Sequence, residues 1–275
     1  APPPASRLLV LHGDRQTGGL LLGRLKPLAR ALARELGVTC AAPDAPFEWE
    51  PLPGYAPPPP PPGDDGRDAG GGGEEENLLR TWWRREGNTY VGLDESLRVA
   101  HDAWTSGGNR FGGVLGFSRG ACLAHLIAVV HRRSGGALFP GLRYAVVVSG
   151  YGDVPLPDNL MAAAGSLAAA AGTGRYFDDA PGRGDARSEV SSLHVMGLRD
   201  RLIGVASSRA LLACYRDPEV YEHEGGHFVP VKRPDIGVYV AFIGGVLRKA
   251  AAAAAEAAAR GSGAAGGAAA GDVGA

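Results

Sequence analysis

The sequence predicts an α/β domain built on a mostly parallel sheet with helices on both faces. Three observations predict it. Short, nearly continuous apolar runs recur at residues 7–11, 111–115, 143–149 and 192–197, the mark of strands buried on both faces. Segments with leucine and alanine at helical spacing separate them, at residues 20–36, 92–106 and 236–249. Polar and glycine-rich turns follow the strands, so that strand and helix alternate along the chain.

Residues 1–6 form a Pro-rich lead-in, expected to be flexible. Residues 7–11 make the first strand, ended by His12-Gly13. A loop over 14–19 leads to a helix over 20–36 with Gly37 as its stop. Residues 38–41 form a second short strand, ended by Pro43. The next stretch, 44–88, differs in character. It holds six consecutive prolines from Pro57 to Pro62, then runs of glycine and glutamate. Such a composition cannot bury a core, so about residues 50–77 are expected to be an extended or disordered insertion, or a lid. Leu78, Leu79, Trp82 and Trp83 at its end are expected to dock back onto the domain.

Residues 92–106 read as a helix with Leu93, Leu97, Ala100 and Trp104 on one face. A strand over 111–115 and a helix over 121–130 follow, fading near 132–135. The clearest strand is 143–149, rich in valine and stopped by Gly150. Residues 153–188 are irregular, with an Ala-rich short helix near 160–171. Then come a strand at 192–197, a helix at 207–215, a strand at 219–222, a loop at 223–227 and the last helix at 236–249. Residues 250–275 are an Ala/Gly-rich disordered tail, part of whose alanine run can extend that helix. The domain therefore spans 7–249.

Net charge is −1, with basic and acidic residues interleaved. No basic stripe is left to neutralise phosphates, which argues against a nucleic-acid partner. Cys40, Cys122 and Cys214 are odd in number and widely spaced, and read as buried reduced thiols in a reducing compartment. No run is long and apolar enough to span a bilayer, because the C-terminal one is mostly alanine. No signal peptide is recognised, and a cytoplasmic location is expected. The sequence starts at Ala1 without methionine, so the nucleus or an organelle stays open.

The stretch that organises the chain is Gly116-Phe117-Ser118-Arg119-Gly120. It lies between a strand and a helix, the context that gives G-x-S-x-G meaning as a nucleophile elbow. A serine at the apex of so tight a turn is strained and exposed, and the flanking glycines let neighbouring backbone pass close. The following helix aims free N–H groups at the place where an oxyanion would form.

A serine hydroxyl is a weak nucleophile that needs a histidine to take its proton and a carboxylate to orient that histidine. Ser118, Asp200 and His227 occur in the chain order used by α/β-hydrolases. Asp200 follows a buried strand. Asp153 also follows one and is the reserve candidate, with a plain helix cap the alternative role for Asp200. Asp178, Asp179 and Asp185 read as solvated. His227 lies in a Gly-Gly loop after the last strand, and His223, nearer the strand end, reads as structural. The same residues spell His-Glu-x-x-His, the zinc-protease pattern, which works only on a helix. Gly225, Gly226 and Pro230 make a helix there improbable, so no metal site is expected. His12-Gly13 is expected to shape an oxyanion hole, with the backbone N–H groups of Asp14 and Arg119 as donors. A buried, hydrogen-bonded role for His12 fits alongside. His101, His125, His131 and His194 read as helix-surface or core residues. Arg183-Gly184-Asp185 is a chance match to an adhesion tripeptide. The run from Pro57 to Pro62 is a plain linker or a weak site for an SH3 or WW partner.

Several motifs occur together in order: His12-Gly13-x-x-Gln16, Trp82-Trp83, Tyr90-x-Gly92-Leu93-x-x-Ser96-Leu97, the elbow with its strand, His194-x-x-Gly197-x-x-Asp200, and His223-x-Gly225-Gly226-His227-x-x-Pro230. The set resembles the "family of serine hydrolases" group of α/β-hydrolases, which includes the ovarian-cancer-associated esterase-like proteins and fungal polyketide-releasing thioesterases. The resemblance runs from about residue 7 to about residue 249. It implies an α/β-hydrolase fold, esterase or thioesterase activity without a cofactor, the triad above, and Trp82 and Trp83 walling an acyl pocket. Two positions depart from the pattern. The family often has glutamine at Arg119 and an apolar residue at Asp14. A carboxylate and a guanidinium beside the site are expected to alter which acyl chains fit.

The leading expectation is a serine hydrolase cleaving small-molecule carboxylic esters through an acyl-enzyme. An acyl thioesterase is the alternative within the enzyme class. A non-catalytic binding module that has kept the fold, recruiting partners through the proline run, is the alternative outside it.

Overall fold

The computed structural model describes residues 6–49, 79–86, 89–106, 108, 111–151, 164–165, 167 and 187–265. Its centre is a six-stranded sheet, β1 (Arg7–Leu11), β2 (Thr39–Ala41), β7 (Phe111–Phe117), β8 (Tyr144–Val148), β9 (Ser191–Gly197) and β10 (Pro218–His223). The strand order is β10-β9-β8-β7-β1-β2, and every pairing is parallel. After β2 the chain crosses from one side of β1 to the other and resumes at β7. The gap between the carboxyl ends of β1 and β7 is thus a topological switch point, where open α/β sheets place their ligands.

Alternation along each strand divides the core. Leu9, Leu11, Val114, Ala145 and Val147 face α3 (Leu93–Ser106) and α4 (Arg119–Arg133). Leu8, Val10, Leu115, Val146 and Val148 face α1 (Gly18–Arg24), α2 (Lys26–Leu36) and the last helix, Arg233–Ala265. Both faces of the sheet are therefore covered, as its continuous apolar strands require.

The helix expected over 20–36 is two helices. The chain turns at Leu25, and Pro27 sits in the first turn of α2, where its missing N–H costs nothing. Of the stretch 44–88, residues 44–49 and 79–86 are described. Two antiparallel ribbons form there, β3 (Phe47–Glu48) with β4 (Arg80–Thr81), and β5 (Arg84–Glu86) with β6 (Thr89–Val91). The insertion at about 50–77, its proline run from Pro57 to Pro62, the lead-in over 1–5, Asp153, and Asp178, Asp179 and Asp185 lie outside the described residues. Of the expected Ala-rich helix, residues 164, 165 and 167 are described and helical.

The last helix corrects the expected boundary of the tail. It begins at Arg233 and continues through Ala265, carried beyond Lys249 by a run rich in alanine, the best helix former, and through Gly261-Ser262-Gly263 near its end. Tyr239, Phe242, Ile243 and Val246 are buried in its first half, while residues 251–260 are exposed. Its stretch 233–260 has a mean hydropathy of 1.5 in its most apolar window, enough by length and composition to cross a membrane. The expectation that no run reaches that threshold is corrected to this extent; the buried half is what a core helix of the domain also shows.

Candidate active site

Ser118 closes β7 and opens α4 with φ 55° and ψ −119°, a conformation an L-residue holds only when its surroundings enforce it. The enforcement is steric. A Cβ on Gly116 would lie 2.1 Å from the carbonyl oxygen of Gly120, and one on Gly120 would lie 2.2 Å from that of Leu11. Only glycine fits at either place. The Ser118 N–H donates to Val148 O at 2.9 Å, which pins the elbow to β8.

His227 arrives from the loop after β10, and Asp200 from the loop after β9. The two loops are laced together: Leu198 N–H donates to His223 O at 2.8 Å and Arg199 N–H to Gly225 O at 3.0 Å. The result joins three side chains that are far apart in sequence. His227 Nε2 lies 3.0 Å from Ser118 Oγ. His227 Nδ1 lies 2.7 Å from Asp200 Oδ2. The other oxygen of Asp200 accepts N–H groups of Leu202 at 2.9 Å and Ile203 at 2.8 Å. Burial alone would push the Asp200 carboxyl up. The Ile203 N–H, the His227 imidazole and the Leu202 N–H outweigh it and hold it below its ordinary value. With Asp200 ionised, Nδ1 carries the proton and Nε2 is free to accept one from Ser118.

The turn after β1 faces this trio. His12 is fully buried. Its Nδ1 donates to Gly13 O at 2.7 Å, its Nε2 accepts the Ala45 N–H at 3.0 Å, and its carbonyl accepts Trp82 Nε1–H at 2.7 Å. Burial lowers its pKa, so it serves as a neutral brace. The Gly13 N–H donates to Gln16 Oε1 at 3.1 Å, which fixes the turn. Among the described residues, neither the Asp14 N–H nor the Arg119 N–H has a partner. Two free donors beside the Ser118 hydroxyl can bind an oxygen that gains negative charge.

Trp82 and Trp83 are fully buried in the core cluster that includes α3 and α4. The Trp82 ring tilts over His12 at 5.0 Å, and the Trp82 carbonyl accepts the Ser96 hydroxyl. His223 ends β10 rather than lying on a helix; its Nδ1 accepts the Gly225 N–H at 3.2 Å. The His-Glu-x-x-His pair therefore straddles a strand end and a loop, without the shared helix face that zinc chelation needs. His194 on β9 is buried and His125 on α4 is half-buried, and both rings pack against Tyr215.

Two contributors escaped the sequence. The Phe117 ring packs against His227. The Arg119 guanidinium reaches across to Asp14, Thr81 and Trp83. No local pattern marks either contact, since each joins segments that are remote along the chain.

The family model described as "Serine hydrolase (FSH1)" matches residues 3–238. An esterase of Anopheles gambiae is 32% identical over 157 residues, which cover 57% of this chain and 49% of that protein. The esterase OVCA2 of Xenopus tropicalis is 28% identical over 158 residues, covering 58% of each. The chain spans about half the length of the first of these curated relatives. Among solved structures, acyl-protein thioesterase 2 of Zea mays superposes with a TM-score of 0.53 at 16% identity, covering 88% of this chain and 94% of that one. The likeness is one of fold: an α/β-hydrolase sheet with its helices.

Proposed function

The chain belongs to the serine hydrolase (FSH1) family, and from that premise we propose that it hydrolyses small-molecule carboxylic esters through an acyl-enzyme. The observation that carries the reading is the relay from Ser118 Oγ to His227 Nε2 at 3.0 Å and from His227 Nδ1 to Asp200 Oδ2 at 2.7 Å. Ser118 Oγ attacks the acyl carbon while His227 Nε2 takes its proton. The carbonyl oxygen becomes an oxyanion held by the N–H groups of Asp14 and Arg119. Collapse of this intermediate expels the alcohol, which receives the proton from His227. Water then attacks the acyl-enzyme by the same route and frees Ser118.

A thioester would pass through the same intermediates, with a thiol as the leaving group. The thioesterase reading is supported by the fold shared with the maize acyl-protein thioesterase. Oxygen-ester and thioester substrates with matched acyl chains separate the two by their relative kcat/KM.

The test is labelling with a fluorophosphonate probe, which reports an activated serine. Wild type should label, Ser118→Ala and His227→Ala should not, and His223→Ala should. A folded wild type that fails to label overturns the proposal in favour of a binding module. Labelling kept in His227→Ala and lost in His223→Ala would move the base to His223.

A further inference from the structure

Asp14 and Arg119 are the two positions at which the sequence departs from the pattern of the family it resembles, and the fold brings them together. Arg119 Nη1 lies 3.2 Å from Asp14 Oδ1, an ion pair without the geometry of a hydrogen bond. Resting on the hydrolase reading above, we propose that the Arg119 side chain is a positioning residue. It neutralises the Asp14 carboxylate and locks the Asp14 turn to the elbow, so that the two backbone N–H groups stay spaced to receive one oxyanion.

Each departure alone would harm the site. The Asp14 carboxylate and the Asp14 N–H belong to one residue, so a bare negative charge would stand beside the place where the reaction builds another. Like charges at such range oppose each other strongly where water is largely excluded. The guanidinium cancels that charge. It is itself immobilised: Nη1 also donates to Thr81 Oγ1 at 2.6 Å and to Trp83 O at 2.8 Å, and the group lies over the Trp83 ring at 5.5 Å. All three polar contacts run through Nη1, so they fix where the positive charge sits.

The strap spans the mouth of the switch point. Its root, Arg119, is the residue that follows the nucleophile. Its far end holds the turn after β1, and its flank holds the segment after β4. Arg15 N–H donating to Arg80 O at 3.0 Å and Arg80 N–H donating to Gln16 O at 3.2 Å tie the same two segments by their backbones. The guanidinium is thereby committed inward. The two charged residues answer each other.

The test is a double-mutant cycle on the full chain, read as kcat and KM for p-nitrophenyl butyrate, with thermal melts as the folding control. In the wild-type background, Arg119→Gln should lower kcat by about tenfold or more with KM within about twofold, the signature of an interaction made in the transition state. In the Asp14→Asn background the same substitution should cost at most about threefold in kcat, because there is no charge left to cancel. Arg119→Lys should restore at least about a third of wild-type kcat, since it keeps the charge. An equal loss in both backgrounds, or a loss confined to KM, overturns the proposal. If Arg119→Gln folds only together with Asp14→Asn, the uncompensated carboxylate is the cause and the pairing stands. If neither folds, Arg119→Lys decides: a kcat loss beyond about tenfold despite the kept charge overturns neutralisation. A wild type with no Ser118-dependent turnover overturns the hydrolase reading and this proposal together. Ser118-dependent turnover with an additive cycle overturns this proposal alone.

Discussion

The Phe117 ring lies 4.8 Å from the imidazole of His227, tilted by 39°. One residue therefore does two jobs. It ends β7 just before the nucleophile, and it forms the surface on which the imidazole rests. A ring held on one side by an aromatic face and at its edge by Asp200 has little freedom left to rotate.

Phe117→Leu keeps most of the volume and should cost less than about 1.5 kcal/mol of stability. It removes the flat face, so His227 should wander and kcat should fall by about tenfold. Denaturant unfolding and steady-state kinetics on the same preparation check both halves. Loss of stability without loss of kcat would show that the contact is packing only.

Asp200→Asn should keep the loop after β9, because the oxygen facing Leu202 and Ile203 can still accept both N–H groups. The amide nitrogen then faces His227 Nδ1 and forces the wrong tautomer. Turnover should fall by about 10³-fold or more. The Asp200 carboxyl is held below 3.8, its reference value. Its contribution to stability is therefore complete above that value and is lost as pH falls through the lowered pKa. The stability difference between wild type and Asp200→Asn, measured by denaturant at several pH values, should shrink in that window and stay constant above it.

His125 and His194 set a second, separate acid limit. Burial pushes His125 down to about 4 and His194 down to about 3 from 6.5. Each is neutral when folded, while the unfolded chain takes up the proton below about 6.5. Stability should be level above that pH and should fall by up to about 1.4 kcal/mol per pH unit for each histidine down to its folded pKa. Denaturant midpoints between pH 7.5 and 4.5 give the slope. Replacing either histidine with glutamine should make the slope shallower, while His12, His101 and His223, also pushed down by burial, keep part of it.

Gly120→Ala should destabilise the fold by about 3 kcal/mol or more, because its Cβ would collide with the backbone of β1 rather than with a yielding side chain. Gly23→Ala, in the last turn of α1 with nothing within 4 Å of the new Cβ, should instead raise stability by about 0.5–1 kcal/mol. Thermal melts of the two variants should move in opposite directions.

The elbow was legible because its cause is local. Strand, glycines, serine and helix are contiguous, and one turn decides the geometry. The order Ser118, Asp200, His227 was legible because strands alternate with helices, which sends the loop after each strand to one edge. The break at Leu25 was hidden, since Pro27 is as compatible with a first turn as with a kink. The ribbons β3–β4 and β5–β6 were hidden for a different reason. Each strand is two or three residues long, too short to show alternation, and its partner is fixed by the domain rather than by its own composition. The Arg119 strap belongs to the same class. Its partners Thr81 and Trp83 stand 38 and 36 residues before it, across β5, β6, α3 and β7, so nothing in the intervening sequence points from one to the other.

Phe47 pairs with Thr81 and Glu48 with Arg80, so the two ends of the stretch between them lie side by side. Loop-closure entropy grows only with the logarithm of length, and here a ribbon already holds the two ends together. Whatever lies between residues 49 and 79 can thus lengthen, shorten or drift in composition at little cost to the sheet. The ribbon acts as a tolerant port in an otherwise exacting scaffold: a place where descendants of this chain can acquire new sequence, and where a protein engineer could splice in a peptide, while the elbow inherits its geometry unchanged.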